Sequence, residues 1–526
     1  MTLFAWFVFF LAIQIVHYLG TWKLYEKAGR KSWEAAIPIY NSIVLMKIIN
    51  RPSWWTILLF IPVINLIMFP VVWVETIRSF GKKSAFDTIL VLVTFGLYIY
   101  YINYTQNVTH IKDRSLISSS KAGDTISSLL FAIVVATLVH TYVMQPYTIP
   151  TSSLEKSLLV GDFLFVSKFH YGARIPMTTV AAPMVHDTLP LVNKKSYTIW
   201  PQLPYFRLPG FENIKNSDIV VFNWPADTLY HMYRPADKRY EKPIDKKTNY
   251  VKRCVGIPGD NLSIKDGIVY INDKELQLPE RAKPQYSYWL GYDGKTPIDF
   301  DFLLKDMKVT DGIFYVSSNR DSIGIKALTK ENSERLKNIP GITSVTRLIN
   351  KGAEDGIYPD PQDGIVSKTS NWNCDNFGPI YIPKAGVTVA LDLASLPLYK
   401  KIITEYEKGN VLKVVGNDIY INDKIVKSYT FQQNYYWMMG DNRHNSLDAR
   451  YFGFTPEDHI VGKPVFIWMS WDSNGKGFGK IRWDRLFTTV GGDGQPTSYF
   501  KIFLILLALY IAIDYGIKKR NAKKNS

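Results

Sequence analysis

The sequence predicts a chain of two kinds of structure, α-helical membrane segments and a mainly-β body held between them. Three observations carry this reading. Long apolar runs, nearly free of charged residues, stand near both ends. No such run occurs between Met144 and Tyr499. Inside that interval, short runs rich in Val, Ile, Tyr and Phe alternate with Gly, Asp and Asn, which is the pattern of strands and tight turns.

The 526 residues suffice for several domains. With 47% apolar and 21% charged residues, the chain is not of a disordered type. Aromatics at 14% suit contact with a membrane interface. Only Cys254 and Cys374 are present, which excludes a disulfide scaffold and a Cys-rich zinc site. Their pairing is left open.

Leu3–Trp22 has no Asp, Glu, Lys or Arg, and a bilayer core is crossed by about 20 apolar residues. No basic stretch precedes it and no small-x-small site follows, so it reads as a retained helix rather than a cleaved leader. Residues 54–74 and 88–104 are further candidate helices. Pro62, Asn65 and Pro70 interrupt the first, which suggests a kinked or re-entrant segment. Residues 1–104 are thus an N-terminal membrane module. A linker, 105–124, leads to a clean spanning candidate at 125–144, and a second follows at 499–517. The tail, 518–526, is basic.

Basic residues set the orientation. They crowd into 23–51, into the linker at Lys112, Arg114 and Lys121, and into the tail. All three are expected to be cytoplasmic, so the body 145–498 is expected on the other side. Arg78, Lys82 and Lys83 disagree if both 54–74 and 88–104 span. Much of the net charge of +16 is then topogenic, and nucleic acid is not expected as a partner. The Trp-rich body also suits contact with membrane lipids.

In the body, IVYINDKEL at 268–276 and DIYINDKIV at 418–426 are both hairpin signals. Residues 277–370 are more polar and irregular and read as an insertion, with a helix-like stretch near Lys326–Leu336.

Three stretches carry chemistry. QPYTIPTSSLEKSLLVGDFLFVSK, from Gln145, holds Thr151, Ser152 and Ser153. YVKRCVGIPGD, from Tyr250, holds Lys252 and Arg253 on a strand, where alternation turns one inward and one outward. MGDNRHNSLDARYFGF, from Met439, is dense in polar groups between strands. Each has a plainer reading: a helix cap, a surface basic pair, and a solvated loop with an Asp–Arg pair.

Taken in order, these blocks resemble the bacterial type I signal peptidase family of membrane-anchored Ser–Lys proteases. The resemblance covers residues 146–260 and 436–465. It implies a signal-peptidase-like antiparallel β fold and removal of N-terminal signal peptides from exported preproteins. It also implies residence in the inner (cytoplasmic) membrane as a multi-pass protein, with the catalytic body on the periplasmic side. By the same resemblance, Ser153 aligns with the nucleophile, Lys252 with the general base, and Thr151 with an oxyanion-hole hydroxyl. Ser446 aligns with a serine that orients the lysine, and Asp448 and Arg450 with a supporting ion pair. No metal or other cofactor is implied, and contact with the secretion machinery is an open partner. Leu154, His444 and Ala449 depart from the usual Met, Asp and Ser.

A lysine base must be neutral, which requires burial in apolar surroundings such as Val251, Val255 and Ile257. Few residues separate Met144 from Ser153, so the serine is expected near the membrane boundary. Two other readings use the same residues. One is a Ser-His-Asp hydrolase with His444 and Asp448. The other is a catalytically inactive, peptidase-like receptor.

Overall fold

A computed structural model describes residues 1–116, 120–230, 238–297, 299, 301–315, 322–359 and 371–524. Parts of the 277–370 insertion, of the linker and of the basic tail lie outside the described residues. The chain forms two compact units. The first contains Met1–Val143, Ala173–Leu208 and Thr228–Lys247; the second contains Met144–Gly172, Pro209–Asp227 and Thr248–Ser526.

Among the described residues, three helices are long and apolar enough to cross a membrane: Leu3–Lys27, Lys121–Val143 and Phe500–Asn521. Each runs past the limits expected from composition because its flanking residues continue the helix. Residues 54–74 do not form one helix. A short turn, Trp55–Leu58, is separated from Asn65–Ser79 around Pro62, which lacks the N–H a continuous helix needs. Residues 88–104 are broken as well. Ala85–Val93 and Tyr98–Thr105 meet at 116°, with left-handed φ at Phe95 and Gly96.

The first unit has its own apolar core, including Tyr25, Met46, Ile64, Ile77 and Ile102. Several polar groups inside it are matched. Asn103 Oδ1 accepts from the Leu24 N–H at 3.1 Å, the Tyr25 hydroxyl donates to the Asn41 carbonyl, and Glu75 accepts from both Arg51 and Arg114. Such matching is required where water is scarce.

The second unit is built on an eight-stranded antiparallel sheet. Its order is Met144–Thr148, Asp162–Ser167, Ile460–Ser470, Ile219–Asn223, Asn249–Gly256, Tyr435–Met439 and Thr455–Pro456, with Thr488–Thr489 paired to the third. Register shifts at Phe163/Leu164, Phe165/Val166 and Ile460/Gly462 bend the strands, so the sheet curls. Both faces are covered. Val221 packs with Ile149, Leu154 and Leu164, while its neighbour Val220 packs with Val255, Trp437 and Phe454. Neighbours on a strand point to opposite faces, so a two-sided core produces unbroken apolar runs such as IVVF and YYWMM.

Four further strands form a smaller sheet, ordered Ile342–Arg347, Gln285–Tyr292, Ser322–Thr329 and Ile313–Tyr315, over a core that includes Leu290, Ile323 and Leu336. The helix-like stretch near Lys326–Leu336 is part strand. The helix is Lys330–Leu336, where the Thr329 hydroxyl accepts from the Asn332 N–H at the cap. Both YINDK hairpins form. Their turns, Asn272–Asp273 and Asn422–Asp423, have positive φ at both residues, as a type I′ turn requires.

Gly161 joins the Ser153 segment to the sheet. Its φ is +89°, and a Cβ would lie 1.9 Å from the Trp471 carbonyl oxygen. Both terms act against a side chain. Gly161→Ala is expected to destabilise the protein by about 2–4 kcal/mol. Chemical denaturation in detergent checks this, and a loss within error of zero contradicts it.

Candidate active site

The three chemistry-bearing stretches converge in the second unit. The first leaves the strand Met144–Thr148 and turns through a short 3-10 element, Ser152–Leu154, which buries Ser153 and leaves Thr151 exposed. The first amides of such a turn have no partner within it. The second stretch is the strand Asn249–Gly256, where Lys252 lies opposite Val220 and between two neighbouring strands. Only 4% of Lys252 is exposed. Its Nζ lies 2.5 Å from Ser153 Oγ, although 99 residues separate the two in sequence.

The third stretch closes the site from the strand Tyr435–Met439 onward. A Cβ on Gly440 would fall 2.2 Å from Ser446 Oγ and 2.6 Å from the Ser153 carbonyl oxygen. The three residues therefore pack at a spacing that only glycine permits. The Ser446 hydroxyl is buried without a partner among the described residues. Asp448 accepts from the Gly440 N–H at 3.0 Å and takes both Nε and Nη2 of Arg450, at 2.9 and 2.8 Å. Arg450 also donates to the carbonyls of Arg443 and Cys374. It is 1% exposed, so its charge is held by that full set of acceptors.

Burial pushes the Lys252 pKa down from 10.5 to about 8. Arg450 acts in the same direction, and the carboxylates of Asp448 and Asp441 oppose it. Burial works to raise the Asp448 carboxyl, but Arg450 outweighs it and holds the group below the ordinary value. An ionised Asp448 tied to Arg450 leaves Lys252 without an ion-pair partner of its own among the described residues.

Arg253 departs from the expected alternation. Both members of the basic pair are buried, Arg253 to 3% exposure, because the sheet is covered on both sides. Asp441 takes its Nε at 2.7 Å and its Nη2 at 2.6 Å, and Ser157 Oγ donates to the same carboxylate. This bidentate pair locks the strand to the third stretch. Sequence reading missed it, since its partners are 188 residues apart. The available signal was an acidic residue directly after the glycine that closes the site.

His444 faces away from Asp448. Its Nδ1 accepts from the Ser287 N–H at 2.9 Å, so Nε2 carries the proton and donates to Asp375 at 2.9 Å. The His444–Asp448 pairing of a Ser-His-Asp arrangement is therefore not formed. Asp375 brings a carboxylate beside the position where the family usually has Asp. Cys374, Asp375 and His444 cluster closely enough to resemble a metal site. A ligating histidine normally donates its second N–H. Here that nitrogen is an acceptor, and the other has no free lone pair. Cys254 and Cys374 are separate buried thiols.

The depressed Lys252 value has a consequence for stability. The folded pKa of about 8 lies below the ordinary 10.5, so the unfolded chain holds this proton more tightly. Below pH 8 the fold bears the full cost of the buried charge, and that cost fades as pH rises toward 10.5. Lys252→Met is therefore expected to raise the melting temperature at pH 7, with the gain vanishing near pH 10.5. A variant no more stable than wild type at pH 7 contradicts this.

Residues 122–322 and 423–471 match the family described as signal peptidase, peptidase S26. Residues 33–113 match a family of unknown function. The chain is similar to signal peptidase I of Buchnera aphidicola subsp. Acyrthosiphon pisum, 25% identical over 64% of this chain and 72% of the relative. It is also similar to signal peptidase I of Rickettsia typhi, 21% identical over 66% of this chain and 82% of the relative. The matched residues include the Ser153, Lys252 and Ser446–Arg450 stretches, and these similarities support the type I signal peptidase family and a membrane-associated peptidase.

Proposed function

We propose that this chain is a signal peptidase I that cleaves N-terminal signal peptides from exported preproteins with a Ser153–Lys252 dyad. The observation that carries the reading is the buried Lys252 Nζ at 2.5 Å from Ser153 Oγ. Neutral Lys252 takes the Ser153 proton as Oγ attacks the carbonyl carbon before the scissile bond. The Ser153 N–H and the Thr151 hydroxyl stabilise the oxyanion. Protonated Lys252 then gives its proton to the leaving amine. It next activates a water that hydrolyses the acyl-enzyme and restores Ser153. Ser446 is the residue that the family resemblance assigns to orienting the lysine, while its Oγ is unpartnered among the described residues, and Asp448, tied to Arg450, holds Gly440 through its N–H. The engaged nitrogens of His444 speak against a histidine base.

Ser153→Ala and Lys252→Ala are each expected to lower the cleavage rate of a test preprotein by at least about 10³-fold, with the fold retained. Wild-type activity is expected to rise with pH through about 8, as Lys252 loses its proton. Near-wild-type cleavage by either variant, or a pH-independent rate, defeats the dyad.

The body is placed on the periplasmic side of the inner membrane, as residues 145–498 with an insertion near 277–370. The basic residues at 23–51, 105–124 and 518–524 support this. Within the first unit, the Met1 amine and the Trp6 indole donate to the Gln202 carbonyl, which sets the start of the first helix beside a loop of the body. A first helix that begins outside delivers Lys23–Arg51 to the cytoplasm. The bent pair 85–105, read as re-entrant, returns Arg78, Lys82 and Lys83 to that side. A single cysteine at Asp423, on an exposed turn, is expected to react with an impermeant maleimide in intact spheroplasts. Labelling that requires permeabilisation reverses the topology.

A further inference from the structure

Two asparagines hold the nucleophile turn from outside. The Asn442 backbone N–H donates to the Ser153 carbonyl at 3.0 Å, and its side-chain Nδ2 donates to the Ser152 carbonyl at 3.2 Å. Asn445 Nδ2 donates to Ser152 Oγ, also at 3.2 Å. Both hydroxyl-bearing residues around the reacting oxygen are thus fixed by amide N–H groups. The Ser152 carbonyl only accepts and so calls for the Asn442 NH₂, but the Ser152 hydroxyl can donate or accept, so shape alone does not decide which end of the Asn445 amide faces it.

A third residue makes that decision. Asp311, just before the strand Ile313–Tyr315 of the smaller sheet, accepts with Oδ2 from both amides, from Asn445 at 2.9 Å and from Asn442. An ionised carboxylate only accepts, and hydrogen bonds to it are stronger than neutral ones. Each amide must therefore turn its NH₂ toward Asp311, and its second hydrogen then reaches Ser152. The arrangement leaves Asn442 Oδ1 buried and unpartnered among the described residues, a cost that the contacts of its NH₂ to Ser152 and Asp311 offset.

The same sheet meets the turn at two other points. Gln285 Nε2 donates to the Glu155 carbonyl at 2.9 Å, and Lys156 Nζ donates to the Lys308 carbonyl. Gln285 also links through its backbone to Asp441 and Arg443. We infer that Asp311 is a positioning residue for peptide cleavage, through which the smaller sheet holds the Asn442 amide in place, orients that of Asn445, and so fixes the Ser152–Ser153 turn.

This inference rests on Ser153 being the nucleophile, and the experiment separates the two. Full-length protein in detergent is assayed on a test preprotein, with melting temperature measured in parallel. Asp311→Ala is expected to lower kcat about tenfold or more, since small misplacements of reacting groups carry costs of that order. KM is expected to stay within twofold and the melting temperature to be little changed. Asp311→Asn, which keeps an acceptor but loses the charge, is expected to fall between. Asn445→Ala combined with Asp311→Ala is expected to be less damaging than the product of the single losses, because both act through one contact. The pH midpoint set by Lys252 is expected to stay in place. If Ser153→Ala is inactive while Asp311→Ala matches wild type, changes KM alone, or combines with Asn445→Ala multiplicatively, the inference fails and the dyad stands. Cleavage surviving in Ser153→Ala overturns both.

Discussion

The constraint on which the second unit depends is a lysine amine held away from water beside a serine hydroxyl. An ammonium at that depth is costly, and the cost itself lowers the Lys252 pKa toward neutrality. Everything near it follows. The strand that carries Lys252 is central in the sheet, both faces of the sheet are packed, and the loop after Met439 covers the remaining side. Had one face of this sheet been solvated, as in many antiparallel sheets, a lysine there would have stayed charged.

Keeping an amine neutral beside other charges requires those charges to be spent on each other. Asp448 is taken by Arg450 and Asp441 by Arg253, each through two nitrogens of a planar guanidinium. These buried pairs are better understood as geometry than as net stabilisation, since desolvation offsets much of their attraction. Their value is that the three stretches around Ser153 interlock in one arrangement. His444 and Asp375 add a third link, this time through a neutral imidazole.

The membrane helices and the sheet obey opposite solvent rules. Leu3–Lys27 and Phe500–Lys524 leave most of their apolar side chains exposed, which is stable only against lipid. The sheet buries the same residue types on both faces. The helices broken around Pro62 and Phe95–Gly96 lie in the first unit, where neighbouring side chains such as Asn103 and Glu75 take up hydrogen bonds inside the protein.

Local features were legible in the sequence because their causes are local. Long apolar runs mark helices that need lipid, Asn-Asp turns with positive φ mark hairpins, and the order of the three polar stretches carries the family resemblance. Ser153 and Lys252 were legible by that resemblance and not by their chemistry, since a hydroxyl cluster and a Lys-Arg pair look like a cap and a surface. Tertiary structure alone decided that both Lys252 and Arg253 are buried, because strand alternation says which faces differ but not whether each is covered. It alone joined Arg253 to Asp441, His444 to Asp375 and Asp311 to Asn442 and Asn445. A single charged residue in a sequence has the same appearance whether water or a distant carboxylate satisfies it, and only folding brings that distant partner within hydrogen-bond reach.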